Sequence, residues 1–495
     1  MIFNSYGFVL LFMPVFMAGY YIIRSYGQKN GNEDFTCNLW IILGSLIFFA
    51  FFGVENFVIL LVSIIWNFCT SIPMSFMRDG SVRIKLFGKE FSPHKPWVTA
   101  GVLGNLVLLL FFKCSGIFFP VAISFYTFNQ ISYIVDLSRG EIEKFEPMDY
   151  LAYVLFFPKL IQGPLMGYTS FAKELKISKE AHVDWEAIMR ALLLFSIGLT
   201  KKVLLADTFG KAVDHAYSGI AGLGSLEAIL TAVFYSFQLY FDFSGYCDMA
   251  SALCLMMGFE LAVNFDSPYK AVNIIDFWKR WHITLTKFFT KYIYIPLGGN
   301  RKGNVRTYIN LLIVFIVSGF WHGTGWTFII WGLMHGVLYV ITRAIGKGTR
   351  KEKEESTALG TKVKVGVHTF LTFIYVTAAW VFFRASTVQE ALALFTQMFT
   401  GGRRKLSTGF ASCFQLDEFW YIIKVTPLMK LGFVWNICLW GFLAAAVFMI
   451  FFKESALKRV KECQIGVVTT LITAFLLIWS IVSLGGVSTF LYMNF

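Results

Sequence analysis

Charged residues are scarce in this chain. Asp, Glu, Lys and Arg together make up 15% of 495 residues, against 57% hydrophobic and 18% aromatic. Soluble chains carry about 25% charged residues, so a water-facing globule of this composition would lack the polar surface to cover its apolar mass. The scarcity excludes an ordinary soluble fold and makes the bilayer the expected solvent.

Other absences narrow the chemistry. No CxxC pair occurs among the eight cysteines. Cys69, Cys114, Cys247, Cys254 and Cys438 lie in or beside apolar runs, as inert packing residues do. HxxxH and HExxH spacings are missing, and no carboxylate stands three or four residues from His322. No metal is therefore expected. The GxSxG elbow of soluble hydrolases is missing too. Residues 1–23 lack the positive n-region of a cleaved signal, and Arg24 follows the apolar run instead of preceding it. This predicts a retained first span with its N-terminus outside. A net charge of +13 raises nucleic acid as a partner, but the basic residues fall in short connections between apolar runs rather than on one face. No nucleic-acid partner is expected.

What is present is a succession of apolar segments from Ile2 to Tyr492 with no long polar block, which predicts one integral-membrane domain over 1–495. A spanning helix needs about 20 mostly apolar residues. Candidate segments are 2–23, 38–53, 55–75, 97–114, 117–137, 149–166, 187–205, 225–243, 245–260, 305–320, 324–342, 367–384, 431–452 and 466–491. The expectation is an all-α polytopic membrane protein with roughly 11–14 spans plus interfacial or re-entrant helices. Cytoplasmic loops are rich in Lys and Arg. Strict alternation from an outside N-terminus puts Arg78–Lys95, Lys201–Lys202, Lys279–Arg306, Arg343–Lys364 and Lys453–Lys461 on the cytoplasmic side. The connection of about 385–430, with Arg403, Arg404 and Lys405, then falls outside as a candidate partner surface. No fixed-period or inverted repeat is visible, which counts against a repeat-built transporter.

The stretch 274–292 has a different pattern. At about 100° per residue, Ile274, Phe277, Trp278, Trp281, Leu285, Phe288, Phe289 and Tyr292 share an arc of about 120°. Lys279, Arg280, Lys287, Thr290 and Lys291 lie across from it, so an interfacial amphipathic helix is predicted, with His282 near the edge of the apolar arc.

The chain has seven histidines. His94 and His182 lie in polar loops, and His215 and His368 near span ends. His282, His322 and His335 fall in or beside apolar segments, where a charge at a helix centre costs at least about 2.5 kcal/mol and tends to be functional. Composition leaves open whether each is a satisfied core imidazole or a working one. On one unbroken helix His322 and His335 would stand about 20 Å apart and roughly 220° around the axis. They are not expected to share one small site unless Gly323 and Gly325 break the helix. A second polar cluster, YFDFSGYCD (240–248), carries Asp242, Ser244 and Asp248, and its carboxylates need partners from nearby Lys or Arg.

The ordered series PVAISFYTFNQISYIVD (120–136), FFPKLIQGPLMGY (156–168), YFDFSGYCDMA (240–250), NFDSPY (264–269), DFWKRWHITL (276–285), YIPLGGNRKG (294–303), SGFWHGTGW (318–326) and WGLMHG (331–336) resembles the membrane-bound O-acyltransferases. WVFFRA (380–385) and the terminal LYMNF are in keeping. The motif-rich core covers about 97–345. The series looks most like the bacterial branch that O-acetylates alginate and other surface polysaccharides.

The resemblance implies a helical bundle around a transmembrane tunnel, with His322 (the WHG motif) as principal catalytic residue and His282 (the RWH motif) as its essential second. His335, Trp321, Asp242, Ser244 and Trp281 are expected in support along the tunnel. Lys279 and Arg280 would face the acyl donor, where cations suit the phosphates of CoA. The implied donor substrate is cytosolic acetyl-CoA, with no permanently bound cofactor. The implied partners are membrane lipids, a polysaccharide acceptor and a separate extracytoplasmic acyltransferase, and the implied location is the bacterial inner membrane. Peptidoglycan O-acetylation and teichoic-acid D-alanylation are the alternatives within the family. A flippase for a lipid-linked sugar is the alternative from another class.

Overall fold

The computed structural model describes residues 1–77, 84–86, 89–91, 94–346, 359–402, 406–415, 433–486 and 490–491. They form two compact units, one of residues 1–195, 249–262 and 489–495 and one of 196–248 and 263–488. Nine helices among the described residues are long and apolar enough to cross a membrane, and each coincides with an expected segment.

The first unit begins with a π-helical turn, Gly7–Phe12, running into α1 (Met13–Asn30), followed by α2 (Glu33–Ala50) and α3 (Val54–Met77). Two three-residue strands, β1 (Ile84–Leu86) and β2 (Lys89–Phe91), pair antiparallel. Then come α4 (Lys95–Ser115), α5 (Ile123–Arg139), α6 (Pro147–Leu155), α7 (Phe157–Leu160), α8 (Tyr168–Glu180) and α9 (Trp185–Thr200), whose last residues belong to the second unit. Arg24, near the end of α1, is buried and donates from Nη1 to the carbonyls of Ser178 (3.0 Å) and Met257 (3.3 Å). A charge out of water is thereby satisfied by backbone acceptors. The amides of Asn67 and Asn105 bond reciprocally between α3 and α4, at 2.8 and 3.3 Å.

The expected span 149–166 is broken. Pro158 has no N–H to give to Val154, so α6 stops and α7 restarts with the proline in its first turn. Both pieces lie largely in the interior of the unit.

The second unit contains α10 (Asp207–Tyr217), α11 (Ser225–Met256, whose last turns belong to the first unit), α12 (Ile274–Arg280), α13 (Ile283–Phe289), α14 (Gly303–His322) and α15 (Trp326–Gly346). It continues through α16 (Leu359–Arg384), α17 (Val388–Thr400) and α18 (Thr408–Ser412) to the spans Val434–Phe451 and Val467–Gly485. The expected segments 225–243 and 245–260 are one helix of 32 residues, α11. Gly245, the first residue of the second segment, does not break it. The glycine lets the carbonyl of Gly198 approach, and a Cβ there would come within 2.8 Å of that oxygen.

The amphipathic stretch 274–292 is likewise not one helix. It divides at Trp281 and His282 into α12 and α13, then widens into a π-helical turn at Thr290–Tyr294. The connection expected as an external loop is helical in its first part, as α17 and α18. It is tied down by Glu227, whose carboxylate accepts from the backbone N–H of Ser407 at 2.7 Å and of Gly224 at 3.0 Å. Arg403, Arg404, Lys405 and residues 416–430 lie outside the described residues, as do most of the basic connections after Met77 and Gly346.

Candidate active site

The α14–α15 hairpin sets the site. Its helices approach closely because both carry glycine at the crossing. A Cβ on Gly319 would run into the carbonyl oxygen of Phe328, and one on Gly332 into that of Phe315. Small residues at a helix contact let backbones close in and raise the packing gain. His322 is the last residue of α14, where Gly323 turns extended (φ −170°) and its N–H caps Gly319. The chain reverses through Gly325 and returns as α15.

This reversal is the break at Gly323 and Gly325 that the sequence left open, and it removes the separation of His322 and His335 expected for one unbroken helix. On a single straight helix they would be far apart. On the folded-back hairpin both pack against Trp331, with ring centroids 5.2 Å (His322) and 5.1 Å (His335) from the indole. Trp321 and Phe383 close the cage around His322 at 4.6 and 5.0 Å. Trp278 packs on His335 at 5.1 Å and Phe277 stacks on it at 6.2 Å. All three histidines are buried. Neither ring nitrogen of His335 has a hydrogen-bond partner among the described residues, so its hydrogen-bonding capacity stays available to a bound molecule.

His282 is held in another way. Its backbone is left-handed (φ 44°, ψ 51°), which costs a non-glycine residue roughly 1–2 kcal/mol. Asn264 compensates. Its Oδ1 accepts from the Thr284 hydroxyl at 2.9 Å and the Thr284 N–H at 3.3 Å, and its carbonyl accepts from the Ile283 N–H at 3.0 Å. The same Oδ1 lies 3.1 Å from Nδ1 of His282. Because the Thr284 N–H can only donate, that amide atom is an acceptor, and Nδ1 must carry the proton. Nε2 is then the basic nitrogen of the ring. Burial pushes the His282 pKa down to about 3, so the imidazole is neutral at ordinary pH. Phe243 meets the ring edge to face at 4.8 Å.

Rings join the two settings. Trp281, beside His282, lies 5.1 Å from Trp380, and Trp380 stacks at 5.6 Å on Trp331, the ring under His322 and His335.

The carboxylates of the YFDFSGYCD cluster are engaged in ion pairs. Lys202 Nζ bridges Asp242 and Asp207, each at 2.8 Å, with the lysine and Asp242 both about 1% exposed. Lys201 Nζ binds Asp248 at 2.6 Å and reaches the Ser244 hydroxyl at 3.4 Å. These lysines follow directly from α9. Of the expected donor-side cations, Arg280 is held by Asp276 at 2.9 Å, while Lys279 is exposed. Sequence reasoning did not single out Asn264, Trp331, Trp380 or Phe383, although NFDSPY, WGLMHG and WVFFRA contain them.

Comparison with known proteins bears on this arrangement. The sequence profile of the membrane-bound O-acyltransferase family matches residues 138–373. A peptidoglycan O-acetyltransferase from Helicobacter pylori is 36% identical over 441 residues, which cover 80% of this chain and 80% of the relative. The chain belongs to the membrane-bound O-acyltransferase family. It is therefore a multi-pass membrane protein and an O-acyltransferase of the bacterial O-acetyltransferase branch. A probable alginate O-acetylase from Pseudomonas fluorescens is 34% identical, over 82% of this chain and 77% of the relative. A teichoic acid D-alanyltransferase from Streptococcus thermophilus is 28% identical over 45% of this chain and 57% of the relative. The family match contains His282, His322 and His335.

Proposed function

We propose that this O-acyltransferase takes an acetyl group from cytosolic acetyl-CoA and passes it through a membrane tunnel for O-acetylation of an extracytoplasmic polysaccharide. In this reading the acetyl group is handed to a separate extracytoplasmic acyltransferase, and the chain sits in the bacterial inner membrane with its N-terminus outside. The observation that carries the reading is the aromatic cage that gathers His322 and His335 on Trp331 within a family of O-acyltransferases.

His322 is the principal catalytic residue. Its imidazole takes the proton of the attacking hydroxyl as the new C–O bond forms, and the CoA thiolate leaves and recovers that proton. His282, fixed in one tautomer by Asn264, is the second histidine of the reaction. Holding donor and acceptor in a narrow, ring-lined space supplies the proximity that acyl transfer requires.

The test is His322→Ala in cells, with surface-polysaccharide acetate measured beside protein abundance. Acetate should be lost while abundance is kept, and full acetylation in the variant would sink the proposal. Peptidoglycan is the second acceptor to assay, favoured by the 36% identity to the Helicobacter pylori relative. Transport of a lipid-linked sugar by purified protein without consumption of acetyl-CoA would instead identify a flippase.

A further inference from the structure

Beside the histidine cage, α13 and the turn Thr290–Tyr294 cover the α14–α15 hairpin and enclose a cleft of about 190 Å³. Trp278 and Phe315 form one wall, with ring centroids 5.4 Å apart. Both rings also pack on His335, at 5.1 and 6.5 Å, so they stand between the cleft and that histidine. Leu285, Phe289, Leu311 and Val314 make much of the remaining wall apolar.

Thr286, Thr290, Ser318 and Tyr339 add hydroxyls to the lining, and three further polar atoms stand apart from them. Trp278 Nε1, Tyr294 Oη and Arg343 Nε are buried, and none has a hydrogen-bond partner among the described residues. Trp and Arg groups can only donate, and the guanidinium is always charged. Among the described residues, no acidic side chain lines the cleft to answer that charge. Buried polar groups are nearly always satisfied. Two donor-only groups and a hydroxyl around one space call for an anionic oxygen acceptor with an apolar attachment.

The position of the cleft identifies the occupant further. Arg343 lies in the last turn of the candidate span Trp326–Gly346, at the depth where a bilayer presents its headgroups. On the outer sides of the same two helices, Ile309, Val337 and Ile341 are exposed, as lipid-facing residues are. The volume fits about six water-sized groups at roughly 30 Å³ each. That holds a phosphoryl group and a few carbons, with the rest of the molecule left outside.

We propose that this cleft binds the phosphodiester headgroup of an anionic membrane phospholipid, with the phosphoryl oxygens on Arg343, Tyr294 and Trp278 and the first carbons against Leu311 and Val314. The site is separate from the acyl-transfer reaction and does not depend on it.

The test is native mass spectrometry of the purified full-length protein titrated with phosphatidylglycerol or with phosphatidylcholine. Wild type should bind phosphatidylglycerol at least ten-fold more tightly. Arg343→Gln, which removes the charge, and Val314→Phe, which fills the cleft, should each abolish that preference. If Arg343→Gln fails to fold, Val314→Phe carries the test by itself. Inorganic phosphate should not displace the lipid, since it lacks the apolar part. Equal binding of the two lipids, unchanged preference in a folded variant, or one-for-one displacement by phosphate or acetyl-CoA would each overturn the proposal. Displacement by acetyl-CoA would assign the cleft to the acyl donor.

Discussion

His322 meets Trp331 edge to face, with centroids 5.2 Å apart and planes at 88°, although the two belong to successive helices joined by a glycine-containing turn. Trp331 supports His335 at almost the same distance, so one indole fixes two imidazoles.

Trp331→Ala should therefore cost about 3–5 kcal/mol of stability, as large-to-small changes in a packed core do, and acetyl transfer should fall with it. Trp331→Phe keeps an aromatic floor and should retain more of both. A thermal-melt series in detergent beside a transfer assay checks this, and equal behaviour of the two variants would refute it.

His282 occupies left-handed backbone that glycine adopts without strain. His282→Gly and His282→Ala should both lose activity if the ring does chemistry. The glycine variant should be the more stable by roughly 1–2 kcal/mol, the cost of that conformation with a Cβ. Denaturation midpoints of the two proteins decide the matter.

The pH dependence follows from the same residue. The folded pKa of His282, about 3, lies below the ordinary 6.5. Between those values the unfolded chain binds the extra proton, so stability rises with pH. Its contribution is present above pH 6.5 and is lost as pH falls toward 3, at no more than about 1.4 kcal/mol per pH unit. Melting curves from pH 7.5 to 4.5 should show the decline, and it should be shallower in His282→Asn.

Lys202 holds Asp207 and Asp242 together in the interior. Removing one member of a buried pair leaves the other charge uncompensated, at about 3–5 kcal/mol. Lys202→Met should reduce folded protein sharply, and adding Asp207→Asn and Asp242→Asn should recover part of the loss. Fluorescence-detected gel filtration of the single and triple variants reads this directly.

Gly319→Ala and Gly332→Ala should each disturb the hairpin, because the added methyl meets backbone rather than a movable side chain. Overpacking costs about 1–3 kcal/mol. Loss of activity should exceed loss of abundance, since the crossing positions His322. Abundance and transfer rate measured together make the comparison.

Much of the bundle was legible in advance because spans are long, apolar and local in sequence. Nine of the expected segments are membrane-length helices for that reason. The failures came where tertiary contacts outweighed local pattern. The segments 225–243 and 245–260 looked separate but form one helix in which Gly245 serves close packing, and the 274–292 periodicity ran on through a break at His282 that bonds to Asn264 help to hold. The partners of Asp242 and Asp248 were expected from Lys or Arg, but which lysines reach them depends on how the turn Lys201–Ala206 packs on α11.

By itself the sequence determined the solvent, the helical class and the family resemblance, because hydropathy and motif order are properties of the chain. Only the tertiary structure decided that His322 and His335 share an indole, that Asn264 orients His282, and that Trp278, Tyr294 and Arg343 line one small cleft. Those relations depend on where a helix turns back and how near its partner can come, and backbone contacts at residues such as Gly319 and Gly332 set both.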